Sequence, residues 1–194
     1  MLRKILVPLI GRDCDRSVLA MGFSVAKTFD AHVEALHVGG DPRDMVPMLG
    51  DGLSGAMIEE IMKAAEQEFA ADAEIARKHF EAARAAAQAA LVQSAPGPGM
   101  ASGRMRSVTG VMEDVIPHEA RLADLVVFPQ TAGIGDSRLS VTLEATLLGS
   151  ARPLLLAPER PPAKIGGTVA IAWNGGAECA RAVAAAIDRK STRL

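Results

Sequence analysis

The sequence predicts an α/β fold, a five-stranded parallel sheet wound doubly with helices on both faces. Three observations carry this. Short apolar, β-branched runs alternate with long amphipathic stretches, the order of repeated β-α-β units. The first of them, Lys4–Leu9 (KILVPL), is continuously apolar rather than alternating, as in a parallel strand buried on both faces. The opening pattern of strand, turn and helix starts again near Thr168.

Lys4–Leu9 (KILVPL) is the first strand. Gly11–Asp15 is a turn rich in helix-capping residues, after which Val18, Leu19, Gly22, Val25 and Ala26 recur at helical spacing. Ala31–Val38 (AHVEALHV) is the second strand, and Gly39–Gly52 a Gly/Pro/Asp-rich loop. Ser54 is placed to cap a helix over about Gly55–Val92. Ile58, Ile61, Met62, Ala65, Phe69, Ile75 and Phe80 form its apolar stripe, and PGPG at Pro96–Gly99 stops the chain from continuing it. Arg106–Val111, Ala123–Pro129 and Pro153–Ala157 are the remaining strands. Helices over Glu113–Leu122 and Ser137–Leu148 lie between them, with Pro117 acceptable only near a first turn. In such sheets ligands sit beyond the carboxyl ends of the strands, where the strand order reverses.

The organisation is one domain over residues 1–160, a linker over 161–167, and the start of a second copy over 168–187. Thr168–Trp173 (TVAIAW) repeats the first strand, and NGGAECARAVAAAI repeats the turn and helix of GRDCDRSVLAMGFSVA. Residues 188–194 (DRKSTRL) translate a nucleotide string that resembles a sequencing adapter, so a non-native tail and a truncated second copy are expected.

The chain has 194 residues, 49% hydrophobic and 23% charged, which suits a packed core. Its net charge is −2 with scattered Lys and Arg, so no nucleic-acid surface is expected. Aromatic residues are 3%, with no Tyr, which leaves little for base stacking. Cys14 and Cys179 are far apart, which argues against a disulfide framework or zinc site. Apolar runs are too short to span a membrane, and the basic start lacks a signal-peptide pattern. A cytoplasmic protein with no membrane partner is the expectation.

KILVPLIG at the start, LHV closing the second strand, ADLVV, LLGSARPLLLAP and the restart VAIAWNGG together resemble the universal stress protein (UspA) family, in its tandem form. The resemblance covers Leu2–Pro158, with Gly167–Ile187 as a fragment. It implies an adenine-nucleotide alpha-hydrolase-like fold, stress-linked regulatory roles, and homodimers or intramolecular domain pairing. One branch of the family binds ATP, with an Asp ending the first strand and G-x2-G-x9-G-[ST] between the fourth strand and the last helix. Gly149-Ser150 matches the closing pair, but the earlier glycines would fall at Asp136 and Leu139, and the Asp at Ile10. A phosphate cradle needs inward N–H groups at conformations that glycine adopts cheaply, and Asp136 adds negative charge beside a polyphosphate. The ATP site is therefore expected to be degenerate. The candidate nucleotide-binding residues are Pro8, Leu9, Ile10, Gly11, His37, Val38, Pro129, Gly133, Gly135, Ser137, Gly149 and Ser150.

Other groupings read as structural. Asp13, Cys14 and Asp15 are expected to cap a helix at the end that favours negative charge. His118 with Glu113, Asp114 and Glu119 reads as a solvated helix face, and His32 and His79 show no partner. Met45, Met48, Met57 and Met62 read as core filler or a lid over the cleft. No metal site, G-x-S-x-G nucleophile or P-loop is present in the pattern. The function expected is a non-catalytic regulatory or interaction protein in stress response. The alternatives are a module binding ATP with Mg, at most slowly hydrolytic, and an enzyme of a related adenine-nucleotide fold.

Overall fold

Six strands run parallel in one sheet in the computed structural model, which describes residues 2–40, 54–93, 99–130, 137–162, 165–166 and 169–188. The strands are β1 (Lys4–Leu9), β2 (His32–Gly39), β3 (Ala90–Leu91), β4 (Ser102–Thr109), β5 (Leu125–Pro129) and β6 (Leu154–Ala157). The helices are α1 (Cys14–Phe29), α2 (Gly55–Ala87), α3 (Met112–Ala120), α4 (Ser137–Gly149) and α5 (Ala177–Asp188). The sheet order is β3-β4-β2-β1-β5-β6, so strand order reverses between β1 and β5.

The sixth strand corrects the expected five. The helix expected to reach Val92 stops at Ala87, because Gln88 turns left-handed at φ 56 and Arg84 Nη1 donates to the Ala89 carbonyl at 2.9 Å. Ala90–Leu91 then pair with β4. The run AARAAAQAA continues a helical pattern through this point, so the stop is invisible in composition. β4 also starts earlier than Arg106. A Cβ on Gly103 would sit 2.9 Å from the Phe23 ring, so this strand needs a small residue where an apolar run would be sought. Pro117 lies inside α3 beyond its first turn, with its ring buried.

The sheet has two apolar covers. On one face Ile5, Val7, Leu9, Val33 and Ala35 pack against α1 and α2, where the Phe23 and Phe80 rings lie 5.8 Å apart. On the other, Leu6, Ile10, Leu36, Val38, Val126 and Phe128 meet Met112, Ile116 and Ala120 of α3 and Leu139 of α4. Alternate residues of one strand go to opposite faces, so both had to be apolar.

Glu34 interrupts the second face. It is 1% exposed, and Lys4 Nζ (3.3 Å), Arg104 Nη2 (2.9 Å) and Arg106 Nε (2.5 Å) converge on its carboxylate. Arg106 also pairs with Glu119 of α3 at 2.9 Å. His32, expected to lack a partner, bonds through Nδ1 to Ser102 Oγ at 2.9 Å.

Residues 169–174 pair with no strand among the described residues, and Val169 and Trp173 are 68% and 59% exposed. The strand expected at Thr168–Trp173 is not formed there; Thr168 lies outside the described residues. An isolated segment has no neighbour to complete its backbone hydrogen bonds. The following helix, α5, forms as the repeat suggests.

Burial raises the Glu34 pKa, but hydrogen bonds from Arg104 and Arg106 outweigh it and hold the carboxyl down to about 2. A depressed carboxylate stabilises the fold above its unfolded pKa and loses that contribution as pH falls. Denaturant unfolding between pH 5 and 2 should therefore show stability falling by about 3 kcal/mol from this group, and Glu34→Gln should remove that slope. Glu34→Ala should cost about 3–5 kcal/mol at pH 7, because it leaves cations in the sheet without their counter-charge.

Candidate functional site

β1 and β2 end side by side, with Leu9 opposite His37 in the register. Pro8, Leu9, Ile10, Gly11, His37 and Val38, six of the sequence-derived candidates, are thus brought together at the carboxyl end of the sheet, and all are buried. Pro129 closes β5 and lines a separate cavity of about 330 Å³ with Asp13, Cys14, Ser17 and Glu159. Ser137 opens α4. Gly133 and Gly135 lie outside the described residues. Gly149 and Ser150 do not join the cleft. They end α4, about 18 Å along its axis from Ser137, where the Gly149 carbonyl accepts from Arg121 Nε at 3.2 Å.

The β1–α1 loop is closed by Asp15. Its carboxylate accepts from the Ile10 amide at 3.1 Å and the Gly11 amide at 2.8 Å. The expected capping role thus takes a specific form: the side chain reaches back across the turn, while Asp13 at the N-cap makes no side-chain cap. Asp15 is 1% exposed. Burial pushes its carboxyl up to about 6 despite hydrogen bonds from the Ile10, Gly11 and Arg12 amides, and the charge of Asp72 adds to the rise.

The other wall is α2. Ser54 caps it as expected, accepting from the Met57 amide at 3.3 Å. Phe69 and Asp72 stand one turn apart on a single face of the helix. The Phe69 ring stacks on His37, centroids 5.1 Å apart at 20°, and overlaps the place that a Cβ on Gly39 would take. Asp72 stands over Gly11, where a Cβ would lie 2.5 Å from its carbonyl oxygen, and Gly11 itself has φ +72. Both glycines are needed for close approach of α2, and Gly11 also for its left-handed backbone. Arg12 reaches across to Asp72 at 2.5 Å and to Glu68 at 3.8 Å.

What remains open is a cavity of about 230 Å³ lined by Arg12, His37, Glu68, Phe69, Asp72 and Arg138. This is below the roughly 300–1,000 Å³ of ordinary small-molecule sites. His37 is 2% exposed, and its Nδ1 has no hydrogen-bond partner. Burial lowers its pKa and favours the uncharged ring. His79, expected to lack a partner, accepts from Arg16 Nε at 3.1 Å. Phe69, Asp72, Arg12 and Arg138 were not among the sequence-derived candidates. The signal that could have found them is the pair of strand-end glycines, Gly11 and Gly39, which imply that something approaches closely.

Among the described residues no group of three or more His, Cys, Asp or Glu could hold a metal ion. No described helix is long and apolar enough to cross a membrane.

The raised pKa of Asp15 fixes the sign of a pH effect. The native state holds its proton to about pH 6, whereas the unfolded chain releases it near 3.8, so the native state binds more protons in between. Asp15 should therefore make stability fall, by about 3 kcal/mol, as pH rises from about 4 to about 6. Asp15→Asn should flatten the unfolding free energy across that window, measured by urea titration at half-unit pH steps.

No family model and no curated protein matches the chain. Solved structures do match. Universal stress protein UspA from Lactobacillus plantarum superposes with a TM-score of 0.56 at 16% identity, covering 80% of this chain and 97% of that one. Hypothetical protein MJ0577, described as a structure-based assignment of biochemical function, gives 0.51 at 18% identity over 84% and 99%. A universal stress protein family protein from Arabidopsis thaliana with AMP bound gives 0.49 at 14% identity over 83% and 93%. The fold of the chain is that of the solved universal stress proteins.

Proposed function

We propose that the chain is a universal stress protein acting in a stress response as a non-catalytic regulatory or interaction protein, with a degenerate ATP site. One observation carries the reading: the Asp15 carboxylate already occupies the Ile10 and Gly11 amides at the end of β1. These are the N–H groups that a phosphate would use at the start of a helix. An incoming polyphosphate meets a buried carboxylate in their place, and Ile10 offers it no polar group. The residues do not fit ATP with Mg, and no catalytic step is derived through it.

The chain is proposed to work in the cytoplasm, as a homodimer or by pairing with a second domain of its own type. β6 ends the sheet, and its Leu156 is exposed, which supports pairing at this edge. The beginning of a second domain after residue 167 belongs to the same reading.

Thermal unfolding with and without millimolar Mg-ATP, with AMP as a control, tests the proposal. Ligand at a hundred times its Kd would add about 2.7 kcal/mol, a rise of several degrees. The expected result is no shift with either nucleotide. A clear ATP-specific shift would replace this reading with that of an adenine-nucleotide-binding module.

A further inference from the structure

We infer that the open edge of β4 is a strand-addition site, and that its occupant is the segment Val169–Trp173 of a second copy of this chain. The inference goes beyond the reading above: it uses neither the cleft nor the β6 edge, and it concerns the 194-residue chain as it stands.

β4 is eight residues long, but β3 covers only its start, pairing with Ser102 and Gly103. Just beyond β3 the Val92 amide donates to the Gly103 carbonyl at 3.2 Å. In a parallel strand, alternate residues turn their N–H and C=O groups to opposite neighbours. Ser102 and Gly110 donate to the Ala31 and Gly39 carbonyls on the β2 side, so Met105, Ser107 and Thr109 turn theirs outward. No described strand takes them, and Ser107 and Thr109 are exposed. An uncovered row of this kind is a template for another strand.

The edge lies beside a groove. A cavity of about 250 Å³ runs between α2 and this edge, with Ala70, Ala73, Glu74 and Arg77 on the helix and Met105 and Ser107 on the strand. The alanines leave room for large side chains under the helix. The charges of the groove are already matched: Arg77 pairs with Glu74 at 2.8 Å, and Arg106, which also lines it, pairs with Glu34 and Glu119. A charged strand would bring in an unmatched charge, so the groove favours an uncharged one.

The segment Val169–Trp173 (VAIAW) has that chemistry. It carries no charge, and it alternates large with small: Val169, Ile171 and Trp173 against Ala170 and Ala172. The large three are 68%, 60% and 59% exposed, and the segment pairs with no strand among the described residues. Added to β4, one of its faces sets Val169, Ile171 and Trp173 under α2 beside Met105, which packs with the apolar cluster there. The other face carries only Ala170 and Ala172, on the side where Arg104 and Arg106 reach across to Glu34. A chain's own segment stands after β6, four strand spacings from its own β4. A second copy brings its segment to the edge without that crossing. Each copy carries one edge and one segment, so the contact is heterologous, and association runs head to tail unless the rotation closes it.

Trp173 is the chain's only tryptophan, so its fluorescence reports the segment alone. The experiment follows the full chain by sedimentation and by emission spectra from micromolar to millimolar concentration. The mass should rise with concentration, and the emission maximum should move to the blue in step with it. Ser107→Pro should abolish both, since it removes an outward N–H and leaves the ladder to β2 whole. Ile171→Lys changes no folded element and should weaken association about tenfold or more, as loss of a central apolar anchor implies. A wild type that stays monomeric overturns the inference. So does a blue shift without a rise in mass, which would mean that the segment docks on its own chain. Association that survives a folded Ser107→Pro, or survives Ile171→Lys, overturns it as well; if that association is then lost in Leu156→Lys, it is the β6 pairing of the earlier reading. Where Ser107→Pro does not fold, Thr109→Pro removes the next outward N–H at the end of the strand, and a folded Thr109→Pro that associates like wild type overturns the inference too.

Discussion

The sheet is organised around a carboxylate in a place built for apolar side chains. Glu34 sits at the centre of β2 with strands on both sides, and its charge is tolerable only because cations from both neighbours reach it. Lys4 comes from β1, and Arg104 and Arg106 come from β4, so one residue ties three strands in register. A slip by one residue would send Glu34 to the opposite face, among Val33 and Ala35's partners in α1 and α2, and strand its cations. Such a cluster is weak evidence for net stability, since desolvation offsets much of the attraction. Its stronger contribution is specificity: the parallel strands are otherwise apolar runs of similar length that could pair in more than one register.

The opposite end of the sheet follows a different logic. At its carboxyl end a doubly wound sheet leaves loop amides and strand ends exposed, which is why ligands bind there. Here the chain covers those groups itself. Asp15 takes the amides of the β1–α1 turn, Phe69 takes the face of His37, and Asp72 takes both the space over Gly11 and the charge of Arg12. The glycines that look like a ligand cradle serve the approach of α2. The same residue type answers two demands, close approach of a phosphate and close approach of a helix, and only the partner tells them apart.

That ambiguity sets how far the sequence could be read. The strands with continuous apolar runs, β1, β2 and β5, were legible because burial on both faces leaves no room for alternation. β4 was half legible: Arg106–Thr109 falls inside the expected run, but Ser102–Arg104 has no apolar side chain and carries no apolar signal. β3 was not legible, since its alanines read as helix and its pairing is set by the turn at Gln88. In the site, the strand-end residues Pro8–Gly11 and His37–Val38 share the carboxyl end of the sheet, where the β-α-β order puts strand ends. Gly149-Ser150 does not: matching a motif by its last pair ignores that a helix must run between the cleft and that pair. Phe69 and Asp72 escaped for another reason. Their roles depend on where a helix 33 residues long crosses the strand ends, a tertiary fact with no local signature.

A cleft sealed by its own chain sets favourable contacts against buried polar groups. The closed state gains the stack on His37 and the Arg12–Asp72 pair, but it keeps a buried carboxylate at raised pKa and a histidine nitrogen without a partner. The first pair of terms is modest: the Arg12 side chain is half exposed, so solvent screens its ion pair, and an aromatic stack adds about 0.5–1.5 kcal/mol beyond its buried area. The second pair costs free energy of similar size. Ala76 and Phe80 hold the later part of α2 in the core, clear of these opposing terms.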